Sequence, residues 1–173
     1  MPYCTFFSRR DAEAFIPADA NCHLISISDG PEDQARIDED RWLSVSFHYF
    51  VDAGFDEEIL EISGDTFEQQ YRDYFLIEKA ETLRRRIEAI ALRGENIVVN
   101  CQAGRSRSAA VARYISTRHG YQLDKATPDA NLCVYRMLTK DKALMAAYAA
   151  IVRPIQLPRK PGLFAQLKAL FCS

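Results

Sequence analysis

The sequence predicts an α/β domain of three layers, in which a mainly parallel central sheet lies between helices. Short apolar stretches with strand propensity alternate along the chain with longer segments of helical periodicity. The 173 residues, 48% of them hydrophobic and 27% charged, suit one domain with a core of its own. Folds of this class bind ligands at the carboxyl ends of their strands, so the residues after each strand are the first candidates for function.

The first half of the chain predicts one short helix and two strands. "SRRDAEAF" predicts a helix capped by Ser8, and "CHLISISD" predicts a strand that begins at Cys22 and ends at the turn "DGPED". "WLSVSFHYFV" predicts a longer strand, with alternate side chains from Trp42 to Val51 available for burial. The acidic stretch "DAGFDEEILEISGD" predicts a long surface loop.

The second half predicts helices around one buried strand, "NIVVN". The strongest helix carries an apolar stripe with steps of four, three, four and three residues, formed by Leu76, Ala80, Leu83, Ile87 and Ile90. Gly94 stands where a glycine ends such a helix. Residues 106–119 predict a second helix closed by Gly120, Thr127 is a predicted N-cap, and residues 141–152 predict a last helix.

Composition limits the classes of partner. The formal net charge of −2 gives no general attraction to nucleic acid or to anionic membranes, and the apolar runs are too short for stable membrane insertion. The three histidines are far apart, so we expect no metal and no cofactor. The cysteines are odd in number and scattered, which favours reduced thiols and a cytoplasmic location: Cys4, Cys22, Cys101, Cys133 and Cys172.

The chain divides into a domain over residues 1–153 and a tail over residues 154–173. The tail, "PIQLPRKPGLFAQLKALFCS", places prolines before a short amphipathic helix with apolar side chains at helical spacing. We expect this helix to pack back on the domain or on a second copy of the chain, as a homodimer. A membrane surface or another partner is the alternative.

The stretch "CQAGRSRS" contains the main candidate functional residues of the chain. It follows the buried strand and opens a helix, so its backbone N–H groups and the helix dipole converge on one point. Gly104 lets the loop curl close to a ligand, and Gln102, Ala103, Arg105 and Ser106 complete it. The sequence therefore predicts a cradle for a tetrahedral dianion.

Three side chains of this stretch fit phosphoryl transfer. Arg107 offers a planar fork that binds two phosphate oxygens. Cys101 lies beneath the same positive field, which favours its thiolate, and is placed for in-line attack to give a cysteinyl-phosphate. Ser108 can donate to the sulfur and stabilise it as a leaving group.

This C-x5-R-S pattern resembles the signature loop of the cysteine-dependent protein tyrosine and dual-specificity phosphatases. "CQAGRSRS" is similar to the C-x-A-G-x-S-R-S form of the compact dual-specificity branch. The resemblance covers about residues 22–119 and implies a protein tyrosine phosphatase-like fold without a cofactor. One departure stands before the cysteine, where Asn100 replaces the usual histidine that orders the loop.

The resemblance also implies a general acid, an aspartate on a loop after an upstream strand. Asp52 is the first carboxylate after "WLSVSFHYFV" and is the leading candidate. Asp65 and Asp56 remain open, and Asp65 is also a candidate helix cap.

The expected activity is hydrolysis of a phosphorylated protein or of a small phosphomonoester. Arg105 motivates an alternative, hydrolysis of lipid or nucleotide phosphates, because basic residues inside this loop occur in relatives with such substrates. Asn100 and the undecided acid motivate an alternative of another class, a phosphate-binding module with weak or no turnover. Asn131 is expected on a helix surface, although its turn could approach the site.

Overall fold

The structure, a computed structural model, describes residues 1–18 and 21–152. Its centre is a parallel sheet of five strands in the order β3-β2-β4-β1-β5. The α/β prediction is confirmed, and the sheet is parallel throughout. The strands are β1 (Tyr3–Ser8), β2 (Cys22–Ser28), β3 (Ser44–Tyr49), β4 (Asn96–Cys101) and β5 (Gln122–Leu123).

Helices flank the sheet and connect its strands. They are α1 (Arg9–Ala14), α2 (Glu57–Ser63), α3 (Phe67–Gln70), α4 (Ile77–Ala91), α5 (Arg107–His119), α6 (Leu132–Thr139) and α7 (Lys142–Val152). The predicted stripe of α4 is buried from Ala80 to Ile90, and α5 ends at Gly120 in the left-handed conformation, as expected. Ser8 caps α1 by accepting a hydrogen bond from the Asp11 N–H, also as expected.

Apolar side chains cover both faces of the sheet, which gives the three layers. On one face the sheet packs against α4, α5 and α6, whose buried residues form the main core. On the other face a smaller cluster joins Leu24 and Val98 to Trp42, with Phe15 packed against it. The carboxyl ends of the central strands β2 and β4 lie at the same edge of the sheet. The turns that follow these two strands can therefore contact each other.

The structure corrects two expectations and adds one strand. "DAGFDEEILEISGD" is not a long loop, because Asp56 accepts a hydrogen bond from the Ile59 N–H and starts α2. Thr127 is not a helix cap, because α6 begins at Leu132 and Asn131 caps it. The sequence "YCTFFS" forms strand β1, which the periodicity did not indicate.

The strand "WLSVSFHYFV" is shorter and less buried than expected. β3 lies at the edge of the sheet, and all of its residues are half-buried. Within the described part of the chain, no helix is both long and apolar enough to cross a lipid bilayer. The predicted tail helix and its role in a homodimer lie outside the described residues.

Candidate active site

The loop after β4 folds over the end of its neighbour β1. Gly104 has a φ of +67°, and a Cβ built there would lie 2.1 Å from the backbone nitrogen of Ser8. Only glycine combines this conformation with so close an approach. A hydrogen bond of 3.3 Å from the Arg9 N–H to the Gln102 carbonyl also joins the loop to this end of β1. The curl predicted for Gly104 is therefore present, and its cause is packing against β1.

The N-terminus of helix α5 follows the loop directly and has no side-chain cap. Its first intrahelical bond runs from the Ala110 N–H to the Ser106 carbonyl, over 2.9 Å. The Ser106 side chain does not cap the helix. The preceding N–H groups are thus free of intrahelical partners, and the helix dipole adds partial positive charge at this point. The arrangement suits an anion held by backbone donors.

Cys101 ends β4 at the floor of this loop, where it is 1% exposed. Its Sγ atom lies 3.1 Å from the Oγ atom of fully buried Ser108, on the first turn of α5. The hydroxyl can therefore donate to a thiolate at Cys101. Burial raises the pKa of the Cys4 and Cys133 thiols, so neither is a nucleophile at neutral pH.

Arg107 is 4% exposed, and its guanidinium is held by one edge. Its Nη1 atom donates to Asp29 Oδ1 and to the Phe50 carbonyl, each over 2.6 Å. Its Nε atom is buried and has no hydrogen-bond partner among the described residues. The edge formed by Nε and Nη2 is thus free to bind two oxygens of a ligand, the bidentate mode in which Arg recognises phosphate.

Asp52 lies beside this free edge. Its Oδ2 atom is 4.0 Å from Arg107 Nε, and its side chain is 34% exposed. Its Oδ1 atom accepts hydrogen bonds from Ser106 Oγ over 2.7 Å and from Asn131 Nδ2 over 2.9 Å. Both donors reach the same oxygen, so Oδ2 is left free of them to carry a proton.

The other two candidate acids are placed differently. Asp56 uses its carboxylate to cap α2, with Oδ1 3.0 Å from the Ile59 N–H. Asp65 is exposed in the short 3₁₀ turn Gly64–Thr66 between α2 and α3. Of the three aspartates, the structure brings only Asp52 to Arg107 and the loop.

The remaining residues of the loop lie on its exposed rim. Gln102, Ala103 and Arg105 are exposed there, and the Arg105 guanidinium forms no ion pair with a described residue. Asn100 precedes the loop in β4, where it is 1% exposed and alternates with the core residues Val99 and Cys101. Its Oδ1 atom is buried and has no hydrogen-bond partner among the described residues.

One contributor to the site was not found from the sequence, and a second was only the less favoured alternative. Asp29 directly follows β2 and anchors Arg107, and the signal available was its position at the carboxyl end of a central strand. Asn131 was expected on a helix surface, yet it caps α6 and donates to Asp52 at the same time. Its backbone N–H also donates to the Ser106 carbonyl over 3.2 Å, which ties the α6 turn to the loop.

Among the described residues, no group of three or more His, Cys, Asp or Glu side chains could hold a metal ion. The site described above brings together a thiol, a guanidinium, a carboxylate and backbone N–H groups. Comparisons with protein-family models, with curated proteins and with solved structures found no match to this chain.

Proposed function

We propose that this chain is a cysteine-dependent phosphatase that hydrolyses phosphomonoesters, with phosphotyrosine or other phosphorylated proteins as the leading substrates. The observation that carries the proposal is the free Nε–Nη2 edge of Arg107 at the loop that holds Cys101 and Ser108. A buried guanidinium with an unpartnered Nε is costly unless a ligand completes it. The loop N–H groups and the α5 N-terminus make an oxyanion such as phosphate the fitting ligand.

In the first step of this mechanism, the Cys101 thiolate attacks phosphorus, and an S–P bond forms as the ester P–O bond breaks. Asp52 gives the proton on Oδ2 to the departing oxygen, which leaves as a neutral alcohol or phenol. The bound dianion takes over the free edge of Arg107, and its negative charge favours the protonated form of Asp52.

In the second step, water attacks the phosphorus of the cysteinyl-phosphate. Asp52, now a carboxylate, accepts a proton from this water as the O–P bond forms. The S–P bond breaks with its electron pair on sulfur, and the Ser108 hydroxyl donates to the thiolate that is released. Inorganic phosphate then leaves, and the enzyme returns to its starting protonation state.

The proposal is tested by turnover and by trapping of the intermediate. Purified protein is offered para-nitrophenyl phosphate, a phosphotyrosine peptide, a phosphoserine peptide and a phosphoinositide. Cys101→Ser is expected to lower kcat by at least about a thousandfold, because the nucleophile is lost. Acid quenching of the wild type during turnover is expected to trap a phosphate adduct on the peptide that contains Cys101.

Cys133→Ser is the matched control, since it also replaces a buried thiol but lies on α6. It is expected to keep wild-type turnover and to give the same adduct. Turnover that survives Cys101→Ser would contradict the mechanism. Binding of vanadate or phosphopeptide without any turnover would favour a phosphate-binding module instead.

Hydrolysis of lipid or nucleotide phosphates is the second candidate. The observation that favours it is the exposed Arg105 on the rim, which has no carboxylate partner among the described residues. A second phosphate on the substrate would supply such a partner.

A further inference from the structure

A long groove runs away from the candidate active site along the edge of the sheet. Its volume is about 740 Å³, and it lies between the loop after β2, the side chains of β3 and the segment that leads into α4. A second cavity of about 270 Å³ lies directly beside Arg107 and Gln102. Asp29 lines both, so the groove adjoins the phosphate cradle at this residue.

The charge of these walls is negative. Five carboxylates line the groove and the adjoining cavity, those of Asp29, Glu32, Asp33, Asp73 and Glu78. Only two cations accompany them, Arg107 and Lys79, and Arg107 already pairs with Asp29. The walls therefore hold unmatched negative charge, which attracts cations and repels anions.

The neighbouring basic groups do not reverse this balance. Lys79 donates to the Arg72 carbonyl over 2.8 Å, and among the described residues the exposed Arg72 guanidinium pairs with Asp73 alone, over 3.8 Å. His48 also lines the groove, but burial lowers its pKa to about 4, so it is neutral at pH 7. Arg9 donates to the Asp33 carbonyl over 3.0 Å, and Arg105 stands on the rim of the loop.

Glu32 and Glu78 carry uncompensated charge in the groove, as Asp33 does in the adjoining cavity. Glu32 and Glu78 are exposed, and neither forms an ion pair with a described residue. A Cβ at Gly30 would lie 2.5 Å from Glu32 Oε1, so this carboxylate folds back toward the residue next to Asp29. Glu78 lies across the groove in the first turn of α4.

The groove also has the setting for an extended chain. β3 has a strand partner on one side only, so its outer edge faces away from the sheet. The Val51 N–H donates to the Asp73 carbonyl over 2.9 Å, which places the segment before α4 at the end of this edge. A peptide with its phosphate in the cradle can continue along the groove.

We infer that the natural substrate is a phosphoprotein whose phosphorylated residue is flanked by Lys or Arg, with those cations lying in the groove beside Glu32 and Glu78. The inference rests on the proposed phosphatase function and deepens it. It also ranks the two candidate functions, because phosphoinositides and nucleotides would bring further negative charge to a wall that is already negative.

The test compares two phosphotyrosine peptides of equal length, one with Lys and one with Glu at the flanking positions, and a phosphoinositide. At low ionic strength we expect kcat/KM for the Lys peptide to exceed that for the Glu peptide by at least about tenfold. The preference should shrink in high salt, because these charges are exposed.

The double variant Glu32→Gln with Glu78→Gln is expected to reduce the preference to below about threefold, since the attraction it removes is electrostatic. Its turnover of para-nitrophenyl phosphate should remain that of the wild type. The matched control neutralises Glu39 and Asp40, two exposed carboxylates before β3 at the opposite end of the strand, and should keep the full preference.

The outcomes separate the two proposals. Equal turnover of the two peptides, or a preference for the Glu peptide or the phosphoinositide, would overturn the inference and leave the phosphatase function standing. Binding of the same peptides to Cys101→Ser, followed by fluorescence anisotropy, tests the charge preference without turnover. A Lys preference in binding with no turnover by the wild type would support the groove and refute the phosphatase function; equal binding would refute the groove.

Discussion

Replacing Asn131 separates its role as a helix cap from its contacts with the loop that holds Asp52, which a single alanine substitution would confuse. Its Oδ1 atom accepts from the Val134 N–H over 3.0 Å and caps α6, whereas its Nδ2 atom donates to Asp52 over 2.9 Å and to the Ala53 carbonyl over 3.3 Å. Serine is also a good N-cap but has no amide group to reach the aspartate. Asn131→Ser therefore removes the contact with Asp52 and keeps the cap, and Asn131→Ala removes both.

The structure sets the size of each effect. A hydrogen bond to a charged group contributes about 1.5–3 kcal/mol, and the lower end applies here because the Asp52 side chain is 34% exposed. A loss of about 1.4 kcal/mol corresponds to a tenfold fall in rate. Loss of the cap costs about 1 kcal/mol, which lowers Tm by about 2–4 °C in a chain of this size.

The assay is kcat/KM for a series of aryl phosphates whose leaving groups differ in basicity, together with thermal unfolding. Both variants should lose about tenfold on phenyl phosphate and much less on para-nitrophenyl phosphate, because only the poor leaving group needs a well-positioned acid. Asn131→Ala should unfold at a lower temperature than Asn131→Ser, because only the alanine variant also loses the cap. An equal loss across the series, or a loss that follows Tm and not the leaving group, would refute the role given to Asn131 and Asp52.

Two further substitutions test the loop and the edge strand. Gly104→Ala should abolish phosphate or vanadate binding, measured by calorimetry, because its Cβ would lie 2.1 Å from the Ser8 nitrogen; tight binding by this variant would contradict the loop geometry. His48 is half-buried near Arg86, and this burial, with a smaller contribution from Arg86, lowers its pKa to about 4. Its stabilising contribution is full above pH 6.5 and is lost as the pH falls toward 4, by up to about 3 kcal/mol. Urea unfolding of His48→Gln should therefore show a smaller loss of stability between pH 7 and 4.5 than the wild type, and identical losses would count against this explanation.

The local sequence was sufficient to predict those elements whose own residue spacing is distinctive. The α4 stripe, the buried strand β4 and the start of α5 each follow from spacing within fewer than twenty residues. The turn between β4 and α5 was predictable for the same reason, since its residues are consecutive. Helix α2 was missed because its acidic residues suggested a solvated loop, whereas Asp56 uses one of those carboxylates as a cap.

Contacts between residues far apart in the sequence could not be predicted from local patterns. Arg107 meets Asp29 across 78 positions of sequence, and Asn131 meets Asp52 across 79. No periodicity encodes these pairs, because they depend on which strands become neighbours. The strand order places β2 beside β4, and this neighbourhood brings the residue after β2 to the arginine that follows the β4 turn.

The interpretation of Asn100 uses both the sequence and the structure. The sequence marked it as the departure from the resembled loop, and the structure buries its Oδ1 atom without a described partner. A buried carbonyl oxygen without a partner costs about 1–3 kcal/mol, whereas an apolar side chain in the same strand position would avoid that cost. The side chains of its neighbours Val99 and Cys101 belong to the main core, so the alternation along β4 turns the carboxamide to the opposite face of the sheet from the thiol. A histidine in its place would add a charge that varies with pH; an asparagine provides hydrogen bonds that do not change with pH. The environment of Cys101 in this chain is thus set by fixed dipoles, by Ser108 and by the α5 N-terminus, and not by a titrating neighbour in β4.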